Sequence, residues 1–235
     1  MKKTIKYLIL VIIIILIVVI VVIIGNQPKS VSLKNPDKLI SGEAQAQSYI
    51  TEKMPVLEEG DLFFGSEQAA LKIFVYEDYS NIYSAQLADT LEKIRQELGN
   101  RVAIIVRPYV LDDSLLSRQA ALAIECAGKN DKWMKMRALL FSQIKNNQLL
   151  SEDFVSEIKQ LKLDNDEFQT CLTNPEKLER IEQTMKMAKQ YEVLGAPTLF
   201  VGDEMILGAR PYEDYIDSNG DAIEGLRAVV DRKLP

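Results

Sequence analysis

The chain has 235 residues, two cysteines, no histidine, and 28 Lys+Arg against 34 Asp+Glu, for a net charge of -6. These counts exclude imidazole catalysis and histidine zinc sites, and two cysteines alone are too few ligands for structural zinc. Two cysteines are still enough for one disulfide or one dithiol pair.

Residues 7–24 form 18 consecutive apolar residues, 14 of them Ile or Val. As a helix they would reach about 27 Å, close to the thickness of a bilayer core. Lys2, Lys3 and Lys6 precede the run, so the positive-inside bias keeps the N-terminus cytoplasmic and sends the rest outside. The reading is a single-pass, uncleaved anchor over residues 1–24. The competing reading, a cleaved signal peptide, expects a shorter apolar region with a small-residue cleavage site close behind it. Here Ala44-Gln45-Ala46 lies well beyond the run. The exported part keeps 25 basic and 34 acidic residues, a charge that repels nucleic acid and anionic lipid.

Residues 25–61 are polar and turn-rich and read as a stalk, with a short helix expected around 44–53 and a domain edge at Leu62-Phe63-Phe64. Residues 71–76, LKIFVY, are a compact apolar run and predict a strand. From Ser84 the period becomes helical through Leu87, Leu91, Ile94 and Leu98, with Gly99 as terminator. Residues 101–106, RVAIIV, predict the next strand, and a crossover of this length joins parallel strands.

Residues 112–190 predict a helical insertion. Its first helix holds Leu116, Ala120, Ala123, Ile124 and Cys126, and its second holds Trp133, Met136, Leu140 and Phe141. Helices follow around 152–160 and 165–172, and a longer one begins near Pro175 and runs to Tyr191. After Gly195-Ala196-Pro197, short strands are expected at 198–201 and 205–207 about a Gly202-Asp203 turn. A last helix is expected from Pro211 through Tyr215, Ile216, Ile223, Leu226 and Val229, interrupted at Gly220. The fold class is therefore α/β, one domain over 62–235 with a helical insertion.

Four segments in this order resemble the DsbA-like thioredoxin-fold family of exported thiol-disulfide oxidoreductases: IFVYEDYSNIYS, AALAIECAGKNDKW, FQTCL and GAPTLFVGDEMILGARPYEDY. The resemblance implies a thioredoxin-like fold and sets Asn81, Ile82, Tyr83 and Ser84 where the family carries Cys-Pro-Tyr-Cys. It also implies a cis proline at Pro197, in a loop that faces the motif and binds extended polypeptide. Finally, it implies a structural disulfide between Cys126 and Cys171; the residues alone leave two buried thiols or a catalytic pair open.

Disulfide exchange needs a thiolate nucleophile and a resolving thiol. The Asn81 amide and the Ser84 alcohol supply neither, and serine activation has no imidazole available. Glu77 and Asp78 are candidate bases only in principle. Asn81 is also a good helix N-cap, and Trp133 a packing anchor. Tyr79, Tyr83, Ala196 and Pro197 are the candidate peptide-binding residues, with Ile82 beside them.

The expectation is thus a membrane-anchored extracytoplasmic domain that binds or positions polypeptide, with no catalytic residue, metal or cofactor and no nucleic acid partner. Two alternatives stay open: an oxidoreductase using Cys126 and Cys171, and an architectural domain of a membrane assembly. No phosphate-binding glycine loop or basic aromatic strip is present.

Overall fold

The computed structural model describes residues 47–111, 114–128, 131–148 and 153–235. The apolar run 7–24, its lysines, and residues 25–46 of the expected stalk lie outside the described residues. Among the described residues no helix is long and apolar enough to cross a membrane.

Six strands form one sheet: β1 (Gln47–Ile50), β2 (Leu62–Gly65), β3 (Leu71–Glu77), β4 (Val102–Pro108), β5 (Thr198–Val201) and β6 (Glu204–Leu207), in the order β1-β6-β5-β3-β4-β2. β3 and β4 pair in parallel, whereas the other neighbours are antiparallel. β4 is buried along its whole length, which is why it reads as a nearly continuous apolar run. Successive residues of β3 face opposite sides of the sheet. Ile73 and Val75 enter the larger core, and Phe74 and Tyr76 enter a smaller one with Ile105, Phe200 and Ala188.

The crossover from β3 to β4 is α1 (Ile82–Leu98), which buries Leu87, Leu91, Ile94 and Leu98 at helical spacing. It ends at Gly99, whose φ of 54° is a left-handed angle that glycine adopts without a Cβ clash.

Between β4 and β5 lies the expected helical insertion: α2 (Leu115–Cys126), α3 (Lys132–Lys145), α4 (Val155–Leu161), α5 (Asn165–Leu172) and α6 (Pro175–Gln190). Side-chain caps fix several starts. Ser114 caps α2, Asp164 caps α5, and Asn174 caps α6 with Pro175 in its first turn, where a missing N–H costs nothing.

Two expected helices are corrected. Around 44–53, the described residues 47–50 form strand β1, paired with β6 from Gln47↔Leu207 to Ile50↔Glu204. The alanine and glutamine content favours a helix locally, but pairing along an otherwise open sheet edge overrides it. After Pro211 the chain forms a hairpin, β7 (Tyr215–Ile216) with β8 (Ala222–Ile223), and only α7 (Leu226–Lys233) is helical.

The domain also begins before Leu62, because β1 belongs to the sheet. The segment between β1 and β2 is tied down by buried Arg107, which donates to both Asp61 carboxylate oxygens at 3.0 and 2.7 Å and to the Tyr76 hydroxyl at 2.9 Å.

Candidate functional site

β3 runs directly into residues 77–84, and the sheet register brings the proline loop beside them. Tyr76 pairs with Thr198, so the residues that follow β3 and those that precede β5 share one end of the sheet. The Ala196-Pro197 peptide bond is cis, as the resemblance implied.

Asn81 is the N-cap of α1. Its Oδ1 accepts from the N–H groups of Tyr83 at 2.8 Å and Ser84 at 3.1 Å, filling donors that no preceding turn can satisfy. Ser84 is fully buried, and its Oγ accepts from the Asp78 N–H at 3.1 Å. Asp78, also buried, accepts from the Ser80 N–H at 2.7 Å and hydroxyl at 2.6 Å through Oδ1, and from the Ser117 hydroxyl at 2.8 Å through Oδ2. Ser117 Oγ accepts in turn from the Leu111 N–H at 3.3 Å. The turn is therefore held by short polar side chains, and α2 is anchored to it through its first turn.

Glu77 is fully buried and makes a two-pronged ion pair with Arg137 of α3, including an Nη2 to Oε2 bond of 2.7 Å. Burial pushes its carboxyl above the ordinary 4.5, with Arg137 pulling the other way. The Arg137 guanidinium also stacks against Phe141 at 5.0 Å and Phe64 at 5.8 Å. Glu77 and Asp78 are thus committed to structure, not free as bases.

Tyr79 is corrected as a peptide-binding candidate. It is 1% exposed and its ring packs on Phe141 with centroids 5.8 Å apart. Its hydroxyl has no hydrogen-bond partner among the described residues, and burial, then the nearby Glu77 charge, raises it well above the ordinary tyrosine range. Nothing in the sequence distinguished this tyrosine from Tyr83, which is half-buried.

Large apolar side chains are exposed on the segments that meet here. Ile82 is 38% exposed, Leu194 77% and Leu115 58%. Leu194 adjoins the proline loop, and Leu115 lies two residues before the Ser117 that contacts Asp78. Leu115 and Leu194 had not been singled out from sequence; a leucine beside a cap or a loop carries no signal of exposure.

Within the loop, the Pro197 carbonyl accepts from the Gly208 N–H at 2.8 Å, and the Gly195 carbonyl accepts from the Thr198 hydroxyl at 2.7 Å. Ala196, half-buried between them, has no hydrogen-bond partner for its N–H or C=O among the described residues.

Cys126 and Cys171 form a disulfide with Cα atoms 5.7 Å apart, joining the C-terminal ends of α2 and α5. No group of metal-binding side chains occurs among the described residues.

A mixed sheet with a capped crossover helix, a cis-proline loop at the same end and a helical insertion is a thioredoxin-like architecture of the DsbA-like kind. The family model described as thioredoxin matches residues 57–217, and the chain belongs to that family.

Among solved structures, the thiol-disulfide exchange protein α-DsbA2 of Wolbachia pipientis is similar at a TM-score of 0.57 and 20% identity, covering 72% of this chain and 85% of that one. A periplasmic thioredoxin-like protein of Salmonella enterica serovar Typhimurium is similar at 0.54 and 25%, covering 74% and 90%. A Na(+)/H(+) antiporter NhaA of Herminiimonas arsenicoxydans is 26% identical over 170 residues, 72% of this chain. The match spans about a quarter (26%) of that curated relative's length.

Proposed function

We propose that this is a membrane-anchored, extracytoplasmic DsbA-like domain without a redox dithiol, which binds or positions a polypeptide partner at the edge made by residues 81–84 and the Ala196-Pro197 loop. The observation that carries the reading is Ala196: its backbone donor and acceptor are unpaired among the described residues while both neighbours are engaged, and exposed Ile82, Leu115 and Leu194 lie on the segments around it. An extended polypeptide gains main-chain bonds from such a position and side-chain contacts from its apolar surroundings.

Chemistry supports binding over turnover. Asn81 and Ser84 carry no thiol, and Ser84 is buried with its oxygen occupied. The one disulfide lies nine residues along α2 from Ser117, about 13.5 Å by helical rise. The anchor rests on the apolar run 7–24 behind Lys2, Lys3 and Lys6, and the periplasmic description of the Salmonella neighbour agrees with export.

The test is photocrosslinking in membranes, with a benzophenone amino acid at position 194 of the full-length chain. A polypeptide adduct that is lost on Ile82→Asp or Leu115→Asp substitution is expected, together with no dithiol oxidation or insulin reduction above a no-protein control. Absence of any adduct, or turnover by the parent chain, contradicts the reading.

A further inference from the structure

We infer that strand β1 is the contact through which two copies of this chain associate, pairing antiparallel along their free edges so that two six-stranded sheets join into one. The contact is independent of the polypeptide site and takes from the reading above only that the copies share one membrane.

β1 is the last strand of the sheet, with β6 on one side and no strand on the other among the described residues. The ladder fixes which of its backbone groups face outward. The Thr51 N–H donates to the Asp203 carbonyl at 2.8 Å, so Thr51 faces β6, and the alternation of an antiparallel pair turns Tyr49 and Gln47 the same way. The N–H and C=O groups of Ser48 and Ile50 therefore point away from the sheet.

Nothing on β1 blunts this edge. Natural sheets protect an exposed edge with lysine, proline or a bulge. QSYI has no charge and no proline, and its register with β6 is unbroken over four residues. All four residues are exposed, Ile50 at 71% and Tyr49 at 39%. Such an edge is a template for another strand.

A second β1 fits it. Set antiparallel, Ser48 of one copy stands opposite Ile50 of the other, and Ile50 opposite Ser48, so every outward N–H and C=O of both strands is paired. The two-fold axis then passes between the two Tyr49 residues. They form a non-hydrogen-bonded pair, with Cα atoms about 4.5 Å apart, where side chains come closest and an aromatic pair is favourable. Sliding the strands by two residues leaves one hydrogen-bonded pair within β1 instead of two. Sliding them by one sets outward groups against inward ones. The contact is small, and it suits copies already confined together by the run 7–24 rather than association from dilute solution.

The experiment is oxidative crosslinking of the full-length chain in membranes, with one cysteine introduced at position 49. The two native cysteines are bonded to each other, so the new thiol is the only free one. Tyr49→Cys should give an adduct of twice the chain mass with copper phenanthroline, because the expected Cα separation lies within disulfide reach. Val56→Cys, 57% exposed but off the strand, should give about tenfold less, from collision alone.

Ser48→Pro removes an outward N–H and leaves the β6 ladder whole, since an edge strand tolerates proline where its N–H faces solvent. Added to Tyr49→Cys, it should lower the adduct about tenfold, for two hydrogen bonds lost per dimer, with the urea midpoint in detergent unchanged. Ile50→Lys leaves the backbone intact, brings like charges together across the contact, and should lower the adduct as well. No adduct at position 49, an equal adduct at 56, an adduct that survives both substitutions, or one whose second member is a different protein overturns the inference. A dimer adduct with no polypeptide crosslink at position 194 upholds it and removes the binding reading.

Discussion

Replacing Arg137 with alanine should cost the folded domain about 3–5 kcal/mol in urea unfolding at pH 7, because it leaves the Glu77 carboxylate charged, buried and unpaired. The pair itself is not the source of that energy. Removing both charges, with Glu77→Leu and Arg137→Met together, should cost far less, since the desolvation of two ions disappears with their attraction.

The dependence on pH carries a definite sign. Burial raises the folded carboxyl above 4.5, so on raising the pH the unfolded chain releases its Glu77 proton first, and stability falls between 4.5 and the folded value. Without Arg137 the folded value moves higher, and the loss deepens and extends upward. The gap between Arg137→Ala and its parent should therefore narrow as the pH is lowered toward 4.5. A gap constant with pH would show that lost packing on Phe141 and Phe64 is the cause.

Asn81→Cys with Ser84→Cys should raise turnover in insulin reduction at least about tenfold above that of the parent chain, with dithiothreitol as electron donor. The first substitution sets a thiolate where the Asn81 oxygen now accepts from the Tyr83 and Ser84 N–H groups at 2.8 and 3.1 Å. Those donors and the start of a 17-residue helix lower a thiol pKa, as they favour any anion. The second puts a resolving thiol in the first turn. Asn81→Cys alone should form mixed disulfides and stall, because nothing resolves them. Losing the asparagine cap costs about 1 kcal/mol, which the thiolate recovers in part. A folded but inactive double variant would mean that residues 81–84 do not stand at the dithiol position of the family.

The sheet and the insertion were legible because their signals are local and strong. The run LKIFVY, the Leu87-Leu91-Ile94-Leu98 period, and the Asn174-Pro175 start of α6 each specify one element. β1 was missed because QSYI is neutral by itself and becomes a strand only by pairing with β6. The β7-β8 hairpin has a readable signal, Asn219-Gly220 between YI and AI, but the apolar positions on either side also fit a helix interrupted at Gly220.

At the site, the cis proline and the cysteine pair came through the resemblance. The interactions that hold the turn, from Asp78 to Ser117 and from Glu77 to Arg137, did not, since 39 and 60 residues separate the partners. Tyr79 packs inward on Phe141 whereas Tyr83, in the first turn of α1, is half-buried, and a single sequence does not encode that difference separately from the fold.

The most direct measurement is exchange of the Ala196 amide in the full-length chain, with and without an excess of a reduced, carboxymethylated polypeptide that has no free thiol. Slowed exchange at Ala196, accompanied by resonance or mass shifts at Ile82 and Leu194 and undiminished by removing Cys126 and Cys171, is the expected result. Unchanged exchange at Ala196 under saturating polypeptide, or protection that requires a free thiol on the polypeptide, would contradict binding at this edge without disulfide chemistry.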